Sequence, residues 1–199
     1  MCTGKCSKVI AISLYVLAGV SIICNIIAFF PDWSTMYAKL DREENGARIT
    51  DEVKYMGGVI GGGIMCLIPA VHIHLTSSNG CCANRCGMFL SIGFAAAGVV
   101  GALYSLATSA LGLSNGPVCL FTETPTSVPG WGRPFLNNYL GDSDLWTKCI
   151  EPEGVVEFNL GLFATLLVVA SLELVLCGIQ IVNGLFGCIC GTCGSREEA

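Results

Sequence analysis

Four runs with no charge or a single one, residues 9–30, 55–75, 88–113 and 158–187, constrain this chain more than any other feature. At about 1.5 Å per residue, each is long enough to cross about 30 Å of hydrocarbon as a helix. Backbone N–H and C=O groups find no water in lipid, so only a helix or a closed barrel satisfies them there. Runs this long and continuous exclude barrel strands. Composition agrees, because 53% hydrophobic against 13% charged residues leaves too little polar surface to cover a soluble core. The expected fold class is all-α membrane, a four-helix transmembrane bundle. Residues 1–8, 76–87 and 188–199 then lie on one side, and 31–54 and 114–157 form loops on the other.

The first run follows Lys5 and Lys8 but is longer than a signal-peptide core, and no small-residue cleavage site follows Phe29, Phe30 and Pro31. It reads as an uncleaved signal anchor. Signals for myristoylation, prenylation and N-glycosylation are not expected from this sequence.

Four crossings put both termini on one side. Raw counts of Lys and Arg do not say which, since Lys5, Lys8, Arg85 and Arg196 face six basic residues opposite. The long loop translocates regardless of its charge, however, which discounts Arg133 and Lys148. Twelve of the fifteen acids lie on the side away from the termini. Cysteine placement is the stronger signal, because a reducing, acylating cytosol and an oxidising exterior leave different marks. Eight thiols sit on the terminal side close to helix ends: Cys2, Cys6, Cys81, Cys82, Cys86, Cys188, Cys190 and Cys193. Only Cys119 and Cys149 lie opposite. The termini are therefore expected in the cytosol, the eight thiols as palmitoylation candidates, and Cys119 with Cys149 as a disulfide. On the chain-entropy account such a bridge, closing about thirty residues, is worth about 3 to 4 kcal/mol.

In the first external loop the mixed charges of Lys39, Asp41, Arg42, Glu43 and Glu44 suggest a solvated helical turn. The second loop is short enough to make its two helices antiparallel neighbours. The large loop, 114–157, opens on the turn formers Asn115, Gly116 and Pro117 and carries Trp131, Phe135, Tyr139, Leu145 and Trp146, enough apolar surface for a lid on the helix ends. Asp142 or Ser143 is placed to cap a short helix running towards Cys149.

Gly57, Gly58, Gly61, Gly62 and Gly63 give overlapping small-xxx-small spacings. They let another helix backbone approach closely, either within the bundle or in a homo-oligomer. Ala97 with Gly101, and Ser105 with Ser109, extend the pattern to the third run. Glu173 stands in mid-membrane, where a charged carboxylate costs about 2.5 to 3.5 kcal/mol. Cys177 and Gln180 share its stripe, and an inward polar face reaching Ser21 and Asn25 is expected. A channel or transporter using Glu173 is the alternative function, but a relay needs more than one acid.

No metal site is expected: Cys190 and Cys193 form a C-x-x-C, yet no single loop supplies four ligands, and His72 and His74 point to different sides of a helix. No cofactor is expected either. Gly112 to Gly116 match G-x-S-x-G by letter, but a nucleophile elbow needs a strand before it and a helix after it, so no catalytic residue is assigned. Basic residues are few and scattered, which excludes nucleic-acid binding.

The opening MCTGKC, then GVIGGGIMCLIPA, CC before NRC, ALGLSNGPVCL, DLWTKCIEP, VVEFNLGLF and LELVLCGIQIVNGLFG, carried in that order and spacing over nearly the whole length, resemble the four-transmembrane L-six antigen family, a tetraspanin-like group. The large loop has no tetraspanin CCG, and the first loop has Trp33 but no claudin cysteine pair. The resemblance implies a non-enzymatic plasma-membrane protein that associates with integrins, receptors or tetraspanins and influences adhesion, migration or proliferation. Together with the residue-level reading it points to a multi-pass organiser or adaptor whose partners are membrane lipids and other membrane proteins.

Overall fold

The computed structural model describes residues 3–35, 37, 49–77, 85–123, 127–135 and 139–190, with positions 3–5, 76–77, 85–86, 88, 187 and 189–190 as backbone only. Among them, four helical segments are long and apolar enough to cross a membrane: Cys6–Ile27, Asp51–Leu75, Phe89–Asn115 and Val155–Phe186. The elements are α1 (Thr3–Ile27), a 3-10 turn Pro31–Trp33, α2 (Asp51–Lys54), a π-helix Gly58–Met65 running into α3 (Cys66–Ser77), α4 (Arg85–Asn115), strands β1 (Cys119–Phe121) and β2 (Gly130–Gly132), and α5 (Val155–Cys190).

The first span leaves helical geometry at Ile27, short of the apolar run's end. Pro31 pushes Phe30 out of the α region, to φ −122° and ψ 62°. The chain then turns through left-handed backbone at Asp32 and Trp33. The charged turn expected further along this loop lies outside the described residues.

The second span is not one α-helix. It begins earlier than the apolar run, at Asp51, where Lys54 pairs with Asp51 at 2.8 Å. It breaks at Met56, whose φ is 51°, and resumes as a π-helix through the glycines. A π turn is wider than an α turn and uncommon, and side-chain-free residues let neighbouring helices close on it. Pro69 cannot donate to Met65, so its missing bond falls where the π-helix ends.

Each span packs against its neighbour in chain order, and α1 against α5 closes a four-helix ring. Two apolar clusters fill it. Ile10, Ala11, Leu14, Ala70, Ile73 and Cys177 form the one towards the termini. Ala28, Tyr37, Ile49, Val53, Phe163 and Leu166 form the one towards the loops. Between them, on α1, the π-helix and α5, lie Ser21, Asn25, the glycines and Glu173.

The large loop is a folded lid. β1 and β2 pair antiparallel, Leu120 opposite Trp131, and Leu120 also bridges Glu151 on the other edge. The Cys119–Cys149 disulfide ties them together with Cα atoms 5.5 Å apart. Asp142 caps the segment before Cys149 by accepting from the Asp144 amide at 3.1 Å, but the segment, Ser143–Lys148, winds as a 3-10 helix. Cys119, Phe135, Tyr139, Val155 and Val156 pack this lid onto the start of α5.

Candidate interaction face and intramembrane polar site

What seats the lid on the helix ends is a buried carboxylate. Glu52 is 5% exposed, and Arg133 of the lid grips it through two bonds, Nη2 to Oε2 at 2.7 Å and Nη1 to Oε1 at 3.1 Å. Asn115 at the end of α4 donates to the same Oε1 at 2.7 Å. An ion pair at low exposure stabilises only if its remaining lone pairs are bonded, and here three donors meet one carboxylate. The Val118 amide donates to Thr50 Oγ1 at 3.3 Å, beside this cluster.

A second clamp is Tyr139. Its hydroxyl donates to the Leu113 carbonyl oxygen at 2.6 Å, and its own carbonyl accepts from Trp146 Nε1 at 2.8 Å. Burial pushes the Tyr139 phenol above its ordinary range. Around this fixed frame the loop face shows apolar groups to the outside: Trp33 is 79% exposed and Val128 is 90% exposed. A recess of about 520 Å³ between Trp146, Glu153, Val156 and Glu157 lies at the same border.

None of Thr50, Glu52, Asn115 or Arg133 was expected to form a site; Asn115 was read only as a turn former and Arg133 only in the charge count. Glu52 and Arg133 are 81 positions apart, and no local pattern joins them. The one available signal was a single arginine in an otherwise acid-rich loop.

Inside the membrane Asn25 and Glu173 lie by the π-helix while Gln180 bonds elsewhere, so the predicted polar residues do not form one network. Asn25 Oδ1 accepts from the Gly58 amide at 2.8 Å and the Val59 amide at 3.1 Å, which caps the π-helix after the break at Met56. The carbonyl oxygen of Tyr55 at the same break accepts from the Tyr104 hydroxyl of α4 at 2.8 Å. Neighbouring helices thus satisfy the backbone groups the break sets free, as lipid requires. Gln180 donates to Ser91 at 3.0 Å, two turns from Glu173. Glu173 itself lies beside Ser21 and Gly62.

The glycines face into the bundle. A Cβ on Gly57 would collide with Thr108 of α4, one on Gly58 would lie 2.8 Å from Leu166 and from the Ser21 carbonyl, and one on Gly61 would collide with the Gly101 carbonyl. Each of the three contacts is with another span of the same chain.

Of the eight terminal-side thiols, Cys6 is exposed and accepts from Asn183 Nδ2 at 3.4 Å, and Cys188 is half-buried. Cys86 and Cys190 are described by backbone alone, at the ends of α4 and α5. Cys2, Cys81, Cys82 and Cys193 lie outside the described residues. Among those described, no group of three or more Cys, His, Asp or Glu is placed to hold a metal ion.

The model of the L6 membrane protein family matches residues 1–194. The chain is similar to Transmembrane 4 L6 family member 4 of Rattus norvegicus, 40% identical over 97% of this chain and 94% of the relative. It is also similar to human family members 5 and 1, each 38% identical over 100% of this chain and 98% of the relative. No solved structure matches.

Proposed function

From the premise that this chain belongs to the L6 membrane protein family, we propose that it is a plasma-membrane organiser that gathers receptors, integrins or tetraspanins laterally and thereby influences adhesion, migration or proliferation. Its termini face the cytosol, and several of Cys2, Cys6, Cys81, Cys82, Cys86, Cys188, Cys190 and Cys193 carry palmitoyl chains that fix its place in the bilayer.

The observation that carries this reading is the lid: clamped to two spans by Glu52, Arg133 and Tyr139, it still turns Val128 outward at 90% exposure. A rigid frame presenting apolar groups binds with little ordering cost, and exposed apolar surface on a folded face marks contact sites. The cytosolic assignment rests on the cysteine distribution, with Cys6 exposed and within a turn of the first span's start.

Two measurements test it. Mild-detergent co-purification from cells should recover a set of integral membrane proteins with the wild type and lose most of it with Cys119→Ser/Cys149→Ser, at equal membrane insertion. Recovery of the same set by both proteins would sink the lid as the contact face. Acyl-exchange mass labelling should give several shifts that vanish when all eight terminal-side cysteines are Ser; an unshifted wild type would overturn both acylation and the orientation argued from it.

A further inference from the structure

The turn after the first span carries strain at one place. Asp32 and Trp33 stand side by side in left-handed backbone, at φ 54° and 53°. Glycine takes that region freely and Asp tolerates it, but a bulky aromatic residue there is an outlier. Two bonds close the turn: the Trp33 amide donates to the Phe30 carbonyl oxygen at 3.0 Å, and the Ser34 amide to that of Pro31 at 3.2 Å. Pro31 is buried and borders Val118 of the lid, so the turn is fixed to the fold on that side.

Packing does not account for the outlier, because Trp33 is 79% exposed. Residues held in sparsely populated backbone persist where the surroundings impose them, and they gather at sites that meet something outside the chain. Position says what Trp33 meets. The uncharged run 9–30 ends three residues before it, and Ile23 and Ile26 of the same span are exposed, as side chains that face lipid are. Tyr55, at the head of the second uncharged run, is exposed too, and the exposed Tyr104 of α4 donates its hydroxyl to the Tyr55 carbonyl oxygen at 2.8 Å. This end of the bundle therefore carries exposed rings, each with one polar atom. Trp and Tyr are enriched where hydrocarbon gives way to headgroups, because the ring is apolar and its N–H or O–H is not.

We propose that Trp33 is a lipid-contact residue: the left-handed turn at Asp32 and Trp33 sets its ring into the headgroup border of the leaflet on the lid side. The partner of this surface is the bilayer itself. Asp32, exposed beside it, stays in the aqueous layer. Because Pro31 ties the turn to the lid, the ring holds the end of α1 and the base of the lid at one depth. The assignment holds whichever side the termini face.

The intact protein, labelled with fluorotryptophan and placed in phosphatidylcholine nanodiscs, gives one fluorine resonance each for Trp33, Trp131 and Trp146, the three tryptophans of the chain. Trp33→Phe, at an exposed position, identifies the first. The expected result is that a doxyl spin label at the headgroup end of the lipid chain broadens the Trp33 line more than a water-soluble gadolinium chelate does. Stronger broadening by the chelate would put the ring in water, open to a protein partner, and overturn the proposal. A line that neither reagent broadens would mean a ring enclosed by the protein, with the same consequence. Both readings come from the wild-type protein, and the variant serves only to assign the line.

Discussion

Asn25 shows how one side chain decides the course of a membrane span. The break at Met56 leaves the Gly58 amide without a backbone partner, and Asn25 Oδ1 accepts from it while also accepting from the Val59 amide, which bonds the Met56 carbonyl as well. Asn25→Ala should lower stability by about 1 to 3 kcal/mol through the orphaned Gly58 amide. Thermal unfolding in micelles measures this, and an unshifted midpoint would mean that the π-helix has another cap. Glu52 and Arg133 make a sharper case, because removing one partner leaves a charge buried while removing both need not. Arg133→Met should cost about 3 to 5 kcal/mol and expose the lid to proteases, whereas Glu52→Met/Arg133→Met should recover much of the loss. Equal damage in the single and double variants would show that the pair does more than neutralise a charge.

Among the elements, the π-helix and the lid owe their form to different causes. The π-helix is a matter of close approach. Gly61→Ala would drive a methyl group into the backbone of α4 at Gly101, and should cost at least about 1 to 3 kcal/mol by overpacking. Gly178 of α5 has nothing within 4 Å of where a Cβ would stand, so Gly178→Ala should be neutral or raise stability by about 0.5 to 1 kcal/mol through helix propensity. Comparing the two melting temperatures separates contact from propensity; similar shifts would remove the distinction. The lid is a matter of chain closure. Its strands are three residues each, too short to stand alone. Cys119→Ser/Cys149→Ser should cost about 3 to 4 kcal/mol and make the lid protease-sensitive while the spans stay folded. A lid that resists proteolysis without the bridge would shift the credit to Glu52 and Tyr139.

At the scale of the molecule, the chain is a ring of four spans with one polar layer through its middle and one capped end. Apolar packing fills both halves, and the polar layer between them is where α1, the π-helix and α5 meet most closely. The capped end carries the exposed apolar groups, and the exposed Cys6 lies at the other. A molecule built this way keeps its lateral surface apolar for lipid or neighbouring helices and sets the lid and the exposed Cys6 at opposite ends.

The number of spans and the membrane class were legible in the residues alone, because lipid leaves the backbone one economical form and each run carries no more than a single charge. The lid disulfide was legible for a similar reason: two cysteines stood apart from all the others. Other features were not. The break at Met56, the π winding of Gly58–Met65, the strands beside the disulfide and the Glu52–Arg133 clamp depend on groups brought together from distant positions, and their local sequence fits an unbroken helix or a plain loop equally well. The polar stripe of Asn25, Glu173 and Gln180 was visible as a stripe, but its division into a cap, a close approach to Gly62 and a separate bond to Ser91 was not. Periodicity says which face a side chain is on; only the approach of another helix decides which atom it meets.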